Sequence, residues 1–82
     1  MNYFILTYQV IINGNKVELA KVGRVVPDLD YTPNAIRDRI KDVYIKKHST
    51  NNIAVKLHEK RQVTPEQFEI EASSFNVQLE FR

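Results

Sequence analysis

Two apolar-rich runs meet at Asn13-Gly14 in the stretch YQVIINGNKVELAK, Tyr8 to Lys21, and this junction constrains the fold more than any other feature of the chain. Asn-Gly is the strongest short hairpin signal, because a type I′ turn needs positive φ at both central residues and these residue types tolerate it best. Before the turn, Phe4, Leu6, Tyr8, Val10 and Ile12 are all apolar, while Tyr3, Ile5, Thr7, Gln9 and Ile11 are mixed. Alternation with period two marks a half-buried strand. A two-residue loop opposes Ile12 to Asn15, Val10 to Val17, Tyr8 to Leu19 and Leu6 to Lys21. The last pair sets a cation against an apolar side chain, and beyond Leu19 the apolar parity changes to Ala20, Val22 and Val26. Either a β-bulge near Ala20 or Lys21 restores the inward face, or Lys21 lies at the sheet margin and snorkels.

The segment VPDLDYTP ends the second strand and starts a helix. Pro27 cannot donate to a ladder, Thr32 suits the N-cap and Pro33 the first helical position. The spacing predicts a helix from Pro33 to His48, with Ile36, Ile40, Val43 and Tyr44 as its buried stripe. Arg37, Lys41 and His48 flank the stripe on one side, Arg39 and Lys46 on the other. Lys46, Lys47 and His48 complement the negative end of the helix dipole. From Ile53 the alternation returns, with Ile53, Val55 and Leu57 on one face and Ala54, Lys56, His58 and Lys60 on the other. In VTPEQF, Thr64 is an N-cap and Gln67 completes a capping box, giving one or two helical turns. Positions 69 to 75 fit helix or strand spacing, and Val77, Leu79 and Phe81 predict a fourth strand.

Eighty-two residues, 43% of them hydrophobic, make a single domain over 1–82 near the lower size limit for folding without disulfides or metal. One amphipathic helix and four half-apolar strands predict an α+β fold: a four-stranded mixed sheet in ββαββ order, with the helix across one face. Placing the last strand beside the first, in parallel, gives a β-grasp-like order that resembles ubiquitin-like domains in element order and length alone; an antiparallel ββαββ sheet without that order is the competing topology. The chain stops at EFR and carries no C-terminal Gly-Gly, so the resemblance does not extend to conjugation. In this arrangement Phe4, Leu6, Tyr8, Val10, Val17, Leu19, Ile53, Val55, Leu57, Val77, Leu79 and Phe81 face the helix. The other face, carrying Tyr3, Ile5, Thr7, Gln9, Ile11, Lys56, His58, Lys60, Gln78, Glu80 and Arg82, stays open.

No cysteine, glycine-rich phosphate loop, nucleophile elbow or His-x-x-x-His pair is present. His48 and His58 lack carboxylates at metal-ligand spacing, Asp28 and Asp30 read as turn and cap residues, and nothing raises the pKa of Glu69 or Glu71. The expectation is a non-enzyme without catalytic, cofactor-binding or metal residues, and without a small-molecule substrate. The N-terminal run lacks the basic start and cleavage site of an export signal, and no run approaches the roughly 18 apolar residues of a membrane span, so the expected location is cytoplasmic, with no membrane contact.

Charge is uneven: residues 1–36 balance at 0, 37–61 carry +5 and 62–82 carry −3. The leading expectation is a protein-interaction module that binds a partner protein or itself through the open sheet face or an exposed strand edge. Tyr3, Ile5, Ile11 and Ile45 are its contact residues, and an accessory or inhibitor protein of a phage or mobile element would have this character. The alternative is nucleic-acid binding by Tyr3, Lys46, Lys47, Lys56, His58, Lys60, Arg61 and Arg82, with Tyr3 stacking a base.

Overall fold

The computed structural model describes residues 1–27 and 34–77. Three eleven-residue strands, β1 (Asn2–Ile12), β2 (Lys16–Val26) and β3 (Ile53–Val63), form an antiparallel sheet in the order β2-β1-β3. Helix α1 (Asn34–His48) lies between β2 and β3 in sequence, and α2 (Pro65–Glu71) with a 3-10 turn at Ala72–Ser74 follows β3. The α+β character and the hairpin match the sequence reading. The four-stranded mixed sheet is corrected to three antiparallel strands with two helices. Of the expected fourth strand, Leu79 and Phe81 lie outside the described residues, as do Asp28, Asp30, Thr32 and Pro33.

Asn13 and Gly14 both adopt positive φ, at 54° and 75°, and the Asn15 N–H donates to the Ile12 carbonyl at 3.2 Å, so the turn chemistry is as the sequence implies. The ladder is not. Ile12 pairs with Lys16, Val10 with Glu18, Tyr8 with Ala20 and Leu6 with Val22, which leaves Asn15 as an extra residue outside the ladder. A one-residue slip turns every side chain of a strand to the other face. Val17 and Leu19, expected in the core, are 58% and 52% exposed, while Ala20, Val22 and Val26 are buried. No bulge interrupts β2. The reason is burial: a two-residue loop would set Lys21 and Gly23 beneath α1, whereas the observed register buries Ala20 and Val22 there and turns Lys21 outward.

The main core joins Phe4, Leu6, Tyr8, Val10 and Ile12 of β1 to Ala20, Val22 and Val26 of β2, Ile36, Ile40 and Tyr44 of α1, and Ile53 and Val77. Three of the four expected helix-stripe residues are buried, and Val43 is exposed. Fully burying each such side chain contributes roughly 1.5–3 kcal/mol.

The opposite face is not open along its length. Thr64 caps α2, accepting from the Gln67 N–H at 3.1 Å, and the positions left open between helix and strand continue α2 to Glu71 and then the 3-10 turn. This unit sets Phe68 edge-on to Tyr3 and to Phe75, each at 5.4 Å between centroids. Ile5, expected to be exposed, is 1% exposed yet lies outside the main core cluster, in a second small core on this face. Its cross-strand partner is Gly23, where an added Cβ would fall inside van der Waals contact of the Phe68 and Phe75 rings. The missing side chain is therefore the slot into which the aromatic pair docks.

Two outcomes follow for urea unfolding. Gly23→Ala should lower stability by about 1–3 kcal/mol through overpacking, and by less when Phe75 is already alanine. Deleting Asn15, which forces the two-residue register, should cost more than about 3 kcal/mol or abolish the cooperative transition, because it turns Ala20, Val22 and Val26 out of the core.

Candidate interaction surface

The two sheet edges differ. On β2, Asn76 occupies the middle of the free edge: its N–H donates to the Lys21 carbonyl at 3.1 Å, its Nδ2 donates to the Leu19 carbonyl at 2.8 Å, and its Oδ1 accepts from the Lys21 N–H at 2.8 Å. One asparagine thus satisfies three edge groups, and the chain then passes to Val77, which is buried in the main core.

Edge strand β3 has no comparable cap among the described residues. The Asn13 N–H donates to the Asn52 carbonyl at 2.9 Å, continuing the β1–β3 ladder one step past Ile12–Ile53. Antiparallel ladders alternate. Ala54 and Lys56 therefore turn their backbone groups toward β1, and Ile53, Val55 and Leu57 turn theirs outward. At His58 the pairing shifts, from Tyr8–Leu57 to Thr7–Glu59, so His58 is the extra residue of a β-bulge. The open, regular edge is consequently Ile53 to Leu57, and the bulge ends it.

Beside this edge runs a groove of about 350 Å³, lined by Arg37, Asp38 and Lys41 of α1 and by Ile53, Ala54, Val55 and Lys56 of β3. Successive strand side chains point to opposite faces, so a groove touching four consecutive residues meets the edge of the strand rather than one face. Asp38 lies 3.5 Å from the Arg37 Nε. Among the described residues no carboxylate lies within ion-pairing distance of Lys41 or Lys56. Leu57, the last residue of the regular edge, is 44% exposed.

Of the residues expected to contact a protein, Tyr3 is engaged by Phe68, Ile5 is buried and Ile45 is half-buried against the main core. Ile11 alone keeps its place on sheet left uncovered by the described residues, half-buried between Val17 and Ala54, with Leu19 nearby. The residues expected to contact nucleic acid are dispersed. Lys46 and Lys47 are exposed at the end of α1, with Lys47 Nζ 5.3 Å from the Tyr44 ring centroid. The bulge turns Lys60 to the α1 face, opposite Leu6 and 5.0 Å from the Phe4 ring centroid, while Lys56 and Arg61 face the other way. Arg82 lies outside the described residues. Sequence reasoning passed over Arg37 and Lys41 as site residues, although their common flank of the α1 stripe was the available signal.

His48 stacks on Tyr44 and lies 3.3 Å from a Glu18 oxygen. Burial, and after it the Glu18 charge, raise the Tyr44 pKa. Among the described residues no three His, Cys, Asp or Glu side chains are grouped to hold a metal ion, and no helix is long and apolar enough to cross a membrane.

The densest polar cluster centres on Glu71, whose side chain is 16% exposed. Its Oε1 accepts from Arg61 Nη2 at 2.8 Å and Lys21 Nζ at 2.9 Å, and its Oε2 from Gln67 Nε2 at 2.7 Å. The hydrogen bonds from Arg61, Gln67 and Lys21 lower the Glu71 pKa from 4.5 to about 2. Lys21 of β2 and Arg61 of β3 thus converge on one carboxylate of α2, which anchors that helix to the sheet. A carboxyl whose pKa falls on folding stabilises the fold above its unfolded pKa and loses that contribution as pH falls through the folded one. Urea midpoints should therefore decline between pH 4.5 and about 2, with a shallower decline in Glu71→Gln.

In comparisons with known proteins the chain matches no family model, no curated protein and no solved structure.

Proposed function

We propose that the protein is a non-catalytic protein-interaction module that receives its partner at the edge of β3. The observation that carries this reading is the contrast between the two edges: Asn76 occupies that of β2, whereas Ile53, Val55 and Leu57 direct backbone donors and acceptors outward. An open edge is a template for another strand, and natural sheets usually blunt it. Here the blunting device, the bulge at His58, comes only after a regular stretch beside a groove. Strand addition supplies main-chain hydrogen bonds for affinity and side-chain pockets for specificity. The sheet face offers less, since α2 and the 3-10 turn cover Tyr3 and Ile5. The non-catalytic character rests on the Glu71 cluster, the densest set of ionisable groups among the described residues, being closed on itself.

Affinity capture from the source cell, with and without nuclease, tests this. Leu57→Pro removes an outward N–H, a position where an edge strand tolerates proline. A nuclease-resistant protein partner should be held by the native chain and by Leu19→Glu on the open face, and lost with Leu57→Pro at unchanged circular dichroism. Loss with Leu19→Glu alone would move the site to the sheet face. Capture only of nuclease-sensitive material would overturn the reading.

A further inference from the structure

The groove beside β3 narrows what kind of strand it would accept. We infer that it selects an extended acidic peptide segment, paired along Ile53 to Leu57 with its carboxylates on the α1 face toward Arg37 and Lys41. This rests on the reading that the β3 edge takes a partner, and adds the chemistry of that partner.

Three observations converge. The first is charge: the groove sets three cations against one carboxylate, Asp38, which lies beside Arg37, and Lys41 and Lys56 have no ionic partner among the described residues. Cations on a rim raise the local concentration of an anionic ligand and repel a cationic one. The second is the lining. Ile53, Ala54 and Val55 line the groove beside the outward backbone groups, and a strand paired there that alternates acidic and apolar residues sets the acidic ones on the α1 face, beside Arg37 and Lys41, and the apolar ones on the opposite face, beside Ala54. The third is the distribution of rings. Sequence-tolerant nucleic-acid binding combines cations with exposed aromatic faces. Among the described residues Phe4, Tyr8 and Tyr44 are buried, Tyr3, Phe68 and Phe75 pack on one another, and none of them lines the groove.

The same charges disfavour a second copy of the chain as occupant. Pairing two β3 edges would bring both copies of Lys56, with their Arg37 and Lys41 flanks, to one seam. Lysine on an edge is a common guard against self-pairing. In this groove it also selects: the cations repel a basic strand and favour an acidic one.

Fluorescence anisotropy with short, end-blocked, labelled peptides decides the matter. The probes are an alternating glutamate–valine peptide, its lysine–valine counterpart, two forms of the glutamate peptide N-methylated at every second backbone amide (on glutamate in one phase, on valine in the other), and a single-stranded oligonucleotide. The glutamate peptide should bind, weaken as salt rises, and weaken about tenfold or more in the double variant Arg37→Glu, Lys41→Glu. The lysine peptide should not bind. Methylation in one of the two phases should abolish binding, because it removes the amides that pair with the strand. Amide chemical-shift changes should centre on Ile53, Val55 and Leu57. Equal binding of both methylated phases, or preference for the oligonucleotide, would overturn the inference. If no acidic peptide binds while the native chain still captures a protein that Leu57→Pro loses, the acidic specificity fails and the edge reading stands. If neither occurs, both fail.

Discussion

The pairing of Ile12 with Lys16 determines the environment of every residue in β2. Side chains alternate strictly along a strand, so one residue left out of the ladder at Asn15 exchanges the contents of the two faces. Ala20, Val22 and Val26 pass beneath α1. Lys21 and Gly23 pass to the opposite side, where each has a specific use: Lys21 reaches Glu71, and Gly23 admits the Phe68 and Phe75 rings. In the alternative register a lysine would enter the apolar core, a bare glycine would lie beneath the helix, and α2 would meet side chains where it now meets a gap. Burial energy therefore overrides the shortest loop that Asn13-Gly14 could support, while keeping the positive φ values that make the pair favourable.

Both faces are consequently partly covered, by structures of different strength. The α1 face carries the larger, continuous core. On the other face a seven-residue helix with no fully buried residue depends on the aromatic series Tyr3, Phe68 and Phe75 and on the Glu71 cluster. Short helices have little intrinsic stability, so packing and the Thr64 cap, worth about 1 kcal/mol, hold α2 in place. Among the described residues, covering stops short of Ile11, Val17, Leu19 and Ala54, which form an apolar row near the turn.

What the sequence revealed, and what it did not, divides along physical lines. Local rules were legible. Ile36, Ile40 and Tyr44 recur at helical spacing and are buried, Thr64 caps α2 through Gln67 N–H, and the β1 alternation gives the inward face from Phe4 to Ile12. Register was not legible, because Asn13-Gly14 specifies a turn geometry but leaves open whether Asn15 joins the ladder. Ile5 was misplaced for a related reason: its burial depends on Phe68 and Phe75, more than sixty residues away in the chain, folding back over Gly23. The charge excess of residues 37–61 was real, but the run divides between the two faces of the sheet and two flanks of the helix, so it did not amount to a single patch.

The bulge at His58 connects the stability of the small core to the availability of the edge. Without it Arg61 would share the face of Leu57 and point toward α1. The extra residue reverses the parity, sending Lys60 toward Phe4 and Arg61 toward Glu71. Bulges re-aim side chains and terminate pairing; this one does both, since the arginine that anchors α2 is available only because regular pairing ends at Leu57. The stretch of β3 left regular is then the part that faces Arg37 and Lys41. The same irregularity that secures the second helix thus sets one end of the site proposed for a partner strand.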